Sequence, residues 1–180
     1  KKEERQVVVA SSLGSLFEWY DFFIYGSLAI YISQILFPHD NPSVAFLAAL
    51  GALSVGFVIR PLGAILFGYL GDRFGRKYTF LATVVLMGGA TVLIGLIPSF
   101  DSIGHLSWIL LLFFRILQGL AVGGEYGGAI TYISEHSRPE RRGLLTGWLQ
   151  STSSAGLIMS LLVIVITQFF MDAESFRQWG

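Results

Sequence analysis

Gly68-Tyr69-Leu70-Gly71-Asp72-Arg73-Phe74-Gly75-Arg76-Lys77 is a short, charged, glycine-punctuated stretch between two long apolar runs. Read from its residues alone, it is a reversal between two helices, with the charge left in water. The rest of the chain can be read outward from this hinge.

The composition points to a lipid environment. Of the 180 residues 53% are hydrophobic and 13% charged, and mean hydropathy is +0.65. A water-soluble domain carries about a quarter charged residues. The 21 glycines, with Ser and Ala inside the apolar runs, suit close helix contacts in a bilayer. A net charge of zero gives no field for nucleic acid. The absence of cysteine excludes a disulfide framework and a Cys-based zinc site. The first apolar run is too long for a signal peptide, holds two acids and lacks a small-residue cleavage site. The chain starts without Met, so a trimmed start is expected.

A hydrocarbon core of ~30 Å takes about 20 apolar residues per helix. Five runs meet this: 12–37, 44–70, 78–97, 106–133 and 144–170. Short polar connectors separate them, and Pro38, Pro42 and Pro98 stand where helices end or begin. Lys1, Lys2 and Arg5, then Arg73, Arg76 and Lys77, then Arg138, Arg141 and Arg142 fall on one side: nine of the twelve basic residues. That side is read as cytoplasmic, with the N-terminus on it. The fold expected is an all-α membrane protein with five transmembrane helices, whose final residues 176–180 look like the start of a sixth.

Five ionisable side chains fall inside the runs: Glu18, Asp21, Arg60, Arg115 and Glu125. Each is costly against lipid, so each is expected to face the interior and mark a pathway or a partner. Asp21 lies roughly 14 Å in from residue 12, and Arg115 roughly 13 Å in from residue 106 on the opposite side. If their helices are neighbours the two can meet, and protonation of Asp21 would release Arg115 for a new anionic partner. The same pair also reads as a static link between two helices. Glu18, Asp21 and Tyr25 share a helix face, while Trp19 and Tyr20 read as packing aromatics. Arg115, Gln118, Val122, Glu125, Ala129 and Tyr132 form a second stripe whose polar members line a cavity. Glu125 is too far along its helix to pair with Arg115, and either finds another partner or is protonated. Arg60, beside Pro61, either binds an anion or a helix acid, or satisfies carbonyls freed by the proline.

Residues 123–128, Gly-Gly-Glu-Tyr-Gly-Gly, follow no strand and lie inside an apolar helix, so they are not a phosphate-binding loop. They read as a site of close helix approach or local flexing, as do the small residues 151–156. His39, His105 and His136 are connector residues without metal-ligand spacing. No Ser/His/Asp set lies at membrane depth, so an enzyme is not expected.

The hinge pattern G-x-x-x-D-R-x-G-R-K resembles the loop between the second and third helices of major facilitator superfamily transporters. Gly14-Ser15-Leu16-Phe17-Glu18-Trp19-Tyr20-Asp21-Phe22-Phe23-Ile24-Tyr25-Gly26, Arg60-Pro61-Leu62-Gly63-Ala64 and Arg115-Ile116-Leu117-Gln118-Gly119 are similar to the metabolite:proton symporter family. The resemblance runs from about residue 12 to 180. It implies twelve helices in two six-helix halves, of which residues 1–180 would be a partial N-terminal half, with the C-terminal half as its missing partner. It implies import of a small carboxylated or zwitterionic substrate with protons, by alternating access, across the bacterial inner membrane. The proton gradient is the driving force, no cofactor is needed, and lipid is the other partner.

In related proton-coupled sugar porters an Asp on the first helix pairs with an Arg on the fourth. The resemblance puts those roles on Asp21 and Arg115, with Glu18 beside them for proton coupling. Tyr25, Arg60, Gln118 and Glu125 would form the substrate cavity. Gly68, Asp72, Arg73, Gly75, Arg76 and Lys77, with Glu135 and Arg142, match the paired signatures of a cytoplasmic gate. A small polytopic protein with an assembly or signalling role, or a uniporter or drug exporter on the same fold, are the alternatives.

Overall fold

The computed structural model describes the backbone of residues 2–136, 142–171 and 175, and the side chains of 12–75, 78–124, 143–148, 150–171 and 175. Among the described residues every regular element is a helix. They are α1 (Lys2–Leu36), α2 (Pro42–Phe74), α3 (Arg76–Gly95), α4 (Phe100–Ile103), α5 (Leu106–His136) and α6 (Arg142–Phe170).

The distribution of side chains is inverted relative to a water-soluble protein. Ser15, Glu18, Asp21, Arg115, Gln118 and Thr152 are buried. Val58 is 74%, Val85 73% and Phe169 83% exposed. Such a surface is stable only against hydrocarbon. Among the described residues four stretches are long and apolar enough to cross a membrane: Pro42–Phe74, Tyr78–Gly95, Leu106–Gly124 and Gly143–Phe170. α1, read above as the first span, is not among them; Glu18, Asp21 and Gln34 dilute its hydropathy, though its length of 35 residues is ample.

The chain divides into two compact units, one of Lys1–Tyr31 with Ile133–Gly180 and one of Ile32–Tyr132. In the second, Asn41 starts α2. Its Oδ1 accepts from the backbone N–H of Ser43 (3.1 Å) and Val44 (3.3 Å), and Pro42 opens the first turn, where its missing N–H costs nothing. α2 runs through Pro61 and continues to Phe74, one turn past the apolar run, because helical hydrogen bonding does not stop where the side chains turn polar. The connector read at 71–77 thus shrinks to Gly75, whose φ of +98° few side-chain-bearing residues adopt. Its N–H donates to Gly71 O at 3.0 Å, closing the last turn of α2 before α3 begins.

α5 packs against both α2 and α3 in this unit. Toward α2 the backbones nearly touch. A Cβ placed on Gly119 would overlap Gly56 O, one on Gly123 would overlap Arg60 O, and one on Gly63 would overlap Leu120 O. Toward α3 the contact is made by side chains, with Ala121 and Val122 in a buried cluster with Met87.

In the first unit α6 crosses α1 through small residues. Thr152 Oγ1 and Ser15 Oγ lie 3.0 Å apart in a buried hydrogen bond. Four residues on, a Cβ at Gly156 would stand 2.8 Å from Trp19 Cβ and 2.9 Å from Tyr20 N. This is the close approach expected of the small residues at 151–156.

Candidate functional site

The acid face of α1 is built by helical spacing. Ser15, Glu18, Asp21, Tyr25 and Ala29 are all buried, at intervals of three and four, and so form one stripe. The α1–α6 crossing covers the start of this stripe, where Ser15 meets Thr152. Trp19 lies off the stripe and stacks on Phe23 with ring centroids 5.8 Å apart, so it packs as an aromatic. Two carboxyl groups and a phenol are thus held away from lipid on one face.

The second unit holds the basic counterpart. Arg115 and Gln118 are 5% and 4% exposed, and Arg115 Nη1 donates to Gln118 Oε1 at 2.8 Å. Gln118 Nε2 in turn donates to Thr91 Oγ1 on α3, also at 2.8 Å, and Thr91 Oγ1 donates to Met87 O at 3.0 Å. A buried guanidinium is therefore linked through an amide to a hydroxyl on the neighbouring helix. Val122 of the same α5 stripe is buried. The side chains of Glu125, Ala129 and Tyr132 lie outside the described residues.

Arg60 is half-buried, with its guanidinium carbon 4.0 Å from the centre of the Phe57 ring. Phe57 is also the residue whose carbonyl loses its helical donor to Pro61. The cation thus rests on an aromatic face one turn back. Neither Phe57 nor Thr91 stands out in the sequence. The only signal for Thr91 is that it is the lone strong hydrogen-bonding side chain between Thr83 and Pro98.

At the hinge, Gly68, Asp72, Arg73 and Gly75 are all exposed. Arg73 Nη1 donates to Tyr69 Oη at 3.1 Å, one turn back, and its guanidinium carbon lies 5.7 Å from the Phe74 ring centre. A Cβ at Gly68 would meet no atom within 4 Å, so no local packing demands glycine there. The side chains of Arg76, Lys77, Glu135 and Arg142 lie outside the described residues.

The connectors at the other end of the second unit form a small polar and aromatic cluster. His39 Nε2 and Asp101 Oδ1 are 3.3 Å apart and well exposed, and Trp108 Nε1 donates to His105 Nδ1 at 3.2 Å. Among the described residues no group of three His, Asp or Glu side chains could hold a metal ion. His136 lies outside the described side chains.

Comparison with known proteins identifies the family and the fold. A family model described as "Sugar (and other) transporter" matches residues 7–179. The proline/betaine transporters of Salmonella typhimurium and Escherichia coli K12 are each 43% identical over 176 residues, 98% of this chain and 35% of theirs. The glycine betaine/proline/ectoine/pipecolic acid transporter OusA of Dickeya dadantii is 41% identical over the same shares. The chain therefore spans about a third of the length of these relatives. Among solved structures, the major facilitator superfamily proton:xylose symporter XylE matches with a TM-score of 0.80 at 20% identity, over 98% of this chain and 40% of XylE. That likeness establishes the fold. The fold and the bacterial relatives make this a multi-pass protein of the bacterial inner membrane, in a family of carriers rather than enzymes. With the family model matching nearly every residue, the chain belongs to the sugar (and other) transporter family.

Proposed function

We propose that this chain forms the N-terminal part of a proton-coupled symporter that imports a small carboxylated or zwitterionic metabolite by alternating access. The observation that carries the reading is the burial of Glu18, Asp21, Arg115 and Gln118 in helices otherwise clothed in apolar side chains. Charges at membrane depth are expensive, and their usual use is to move ions or bind polar substrates. Asp21 is the group that carries the coupling proton, with Glu18 beside it on the same face. Arg115 shares the proton-coupling role and, when Asp21 is protonated, supplies the positive charge for a substrate carboxylate, and Tyr25, Arg60, Gln118 and Glu125 form the cavity. Proline and betaine, named for the relatives, are zwitterions with one carboxylate, which suits a site with a buried guanidinium.

The proton gradient drives the cycle without a bound cofactor. The N-terminus and the hinge face the cytoplasm. Asp72, Arg73, Arg76 and Lys77, with Gly75 shaping the turn and Gly68 on the last turns of α2 before it, and Glu135 with Arg142, form a latch there. Exposed ion pairs of this kind are worth ~0–1 kcal/mol each, weak enough to break in every cycle.

The test uses the full-length natural transporter in proteoliposomes, with an imposed pH gradient and labelled proline. Asp21→Asn removes the titratable group and keeps its shape. Uptake should stop at equilibrium with the outside solution, while exchange of internal for external proline continues. Full gradient-driven accumulation by the variant would remove Asp21 from the coupling role.

A further inference from the structure

We infer that Thr91 of α3 is a positioning residue for substrate binding, acting through Gln118 to aim the guanidinium of Arg115. The inference rests on the proposed role of Arg115 and extends it to a residue on a different helix.

The direction of the hydrogen bonds carries the argument. A threonine hydroxyl has one proton, and that of Thr91 is committed to Met87 O, at 3.0 Å one turn back on its own helix. Only its lone pairs are left for Gln118, so the amide must present its NH₂ to α3, where Nε2 lies at 2.8 Å. The amide oxygen is thereby turned the other way, toward Arg115 Nη1 at 2.8 Å. An amide has two nearly isosteric orientations, and only this one offers an acceptor to a guanidinium. In the flipped orientation two donors would face each other in a buried site. Thr91 thus selects the amide orientation that Arg115 requires.

The relay orients without neutralising. Gln118 and Thr91 carry no charge, so they fix the plane of the guanidinium fork while adding no counter-charge to it. A carboxylate is recognised by that fork through paired, coplanar hydrogen bonds, so recognition depends on the plane being held in place before binding. α3 supplies the hold from a position outside the acid and cation pattern of the sequence. Val122 and Ala121, packed with Met87 one turn further along α5, keep α3 in register for it.

The experiment compares Thr91→Val, which keeps the β-branched shape and loses the hydroxyl, with Thr91→Ser, which keeps the hydroxyl. Both are made in the full-length transporter, alone and combined with Gln118→Leu, and proline uptake is measured as KM and Vmax at matched membrane levels. Thr91→Val should raise KM about tenfold, equivalent to ~1.4 kcal/mol, with Vmax held within about twofold. Thr91→Ser should restore the natural KM. In the Gln118→Leu background Thr91→Val should add nothing further. An unchanged KM in Thr91→Val, failure of serine to restore it, or full additivity with Gln118→Leu would overturn the inference. If Thr91→Val does not accumulate in the membrane, Thr91→Ala removes the same hydroxyl and is read the same way. Arg115→Gln separates the two levels: if it leaves the KM for proline unchanged, the role of Arg115 itself falls. If Arg115→Gln destroys binding while Thr91 and Gln118 act independently, only the relay falls.

Discussion

Gly123→Ala adds one methyl group where α5 meets α2, and the structure predicts a large loss of stability from it. The added Cβ would overlap Arg60 O and lie 2.8 Å from Arg60 C and 2.9 Å from Ala64 N. These are backbone atoms of a helix, so no side chain can swing aside. Carbon normally keeps about 3.5 Å or more from such atoms, so the helices must separate by at least half an ångström along several residues. Neighbouring positions offer no relief, because Gly119 faces Gly56 and Gly63 faces Leu120 with the same closeness. Overpacking of this kind costs ~1–3 kcal/mol, and the top of that range applies when backbone must move. A loss of ~3 kcal/mol changes the folded-to-unfolded ratio roughly 150-fold.

The control is the same substitution on α2 itself. A Cβ on Gly51 meets nothing within 4 Å, and alanine is the better helix former by up to ~1 kcal/mol. Gly51→Ala should therefore be neutral or slightly stabilising, opposite in sign to Gly123→Ala. Denaturation of the purified full-length protein in mixed micelles, followed by tryptophan fluorescence, reads both. Equal midpoints for the two variants would refute the reasoning, since chemistry and helix environment are shared and only the facing backbone differs.

Two further outcomes follow from local contacts. Asn41→Ala removes the cap of α2 and should cost about 1 kcal/mol, while Asn41→Asp should retain most of the stability; indistinguishable midpoints for alanine and aspartate would remove the capping role. Phe57→Leu takes the aromatic face from under Arg60 and should cost ~1 kcal/mol, measured by the same denaturation. That cost should shrink in an Arg60→Gln background, and an undiminished cost there would assign it to packing alone.

The fold was legible in the sequence where a property repeats along the chain. Apolar runs of membrane length and the positive cluster at the hinge need only counting, and burial of Glu18, Asp21, Tyr25, Arg115 and Gln118 follows from helical spacing and the cost of charge in lipid. The ends of α2 were less legible. Its last turn, through Asp72 and Arg73 to Phe74, is polar, and a hydropathy reading stops where the lipid stops rather than where the backbone hydrogen bonds do. His39 and His105 read from the sequence as connector residues without metal-ligand spacing. They are exposed, but Asp101 and Trp108 engage them, because α4 brings its connector back toward residues 37–41. Phe57 was not legible, and Thr91 was marked only as the lone hydrogen-bonding side chain in its run. Each matters through one partner on another helix or one rotamer, and a linear pattern carries neither.

The glycines and the polar relay answer to one mechanical requirement on α5. Its face toward α2 is bare backbone at Gly119 and Gly123, so there the two helices are fixed by direct contact of rigid main chain, while at Gly124 the Phe67 side chain of α2 fills the approach. Its face toward α3 carries Gln118 and the Val122 contact, which are specific but adjustable. A transporter that tolerates motion between larger parts still needs its binding groups set to within a fraction of an ångström inside each part. Locking α5 to α2 through Gly119 and Gly123 removes the freedom that would blur the aim of Arg115, and leaves Thr91 to decide only the last rotation of an amide. For that reason Gly123→Ala should disturb stability more than Thr91→Val does, whereas Thr91→Val, which leaves the buried Gln118 amide without its acceptor on α3, should act mainly on binding.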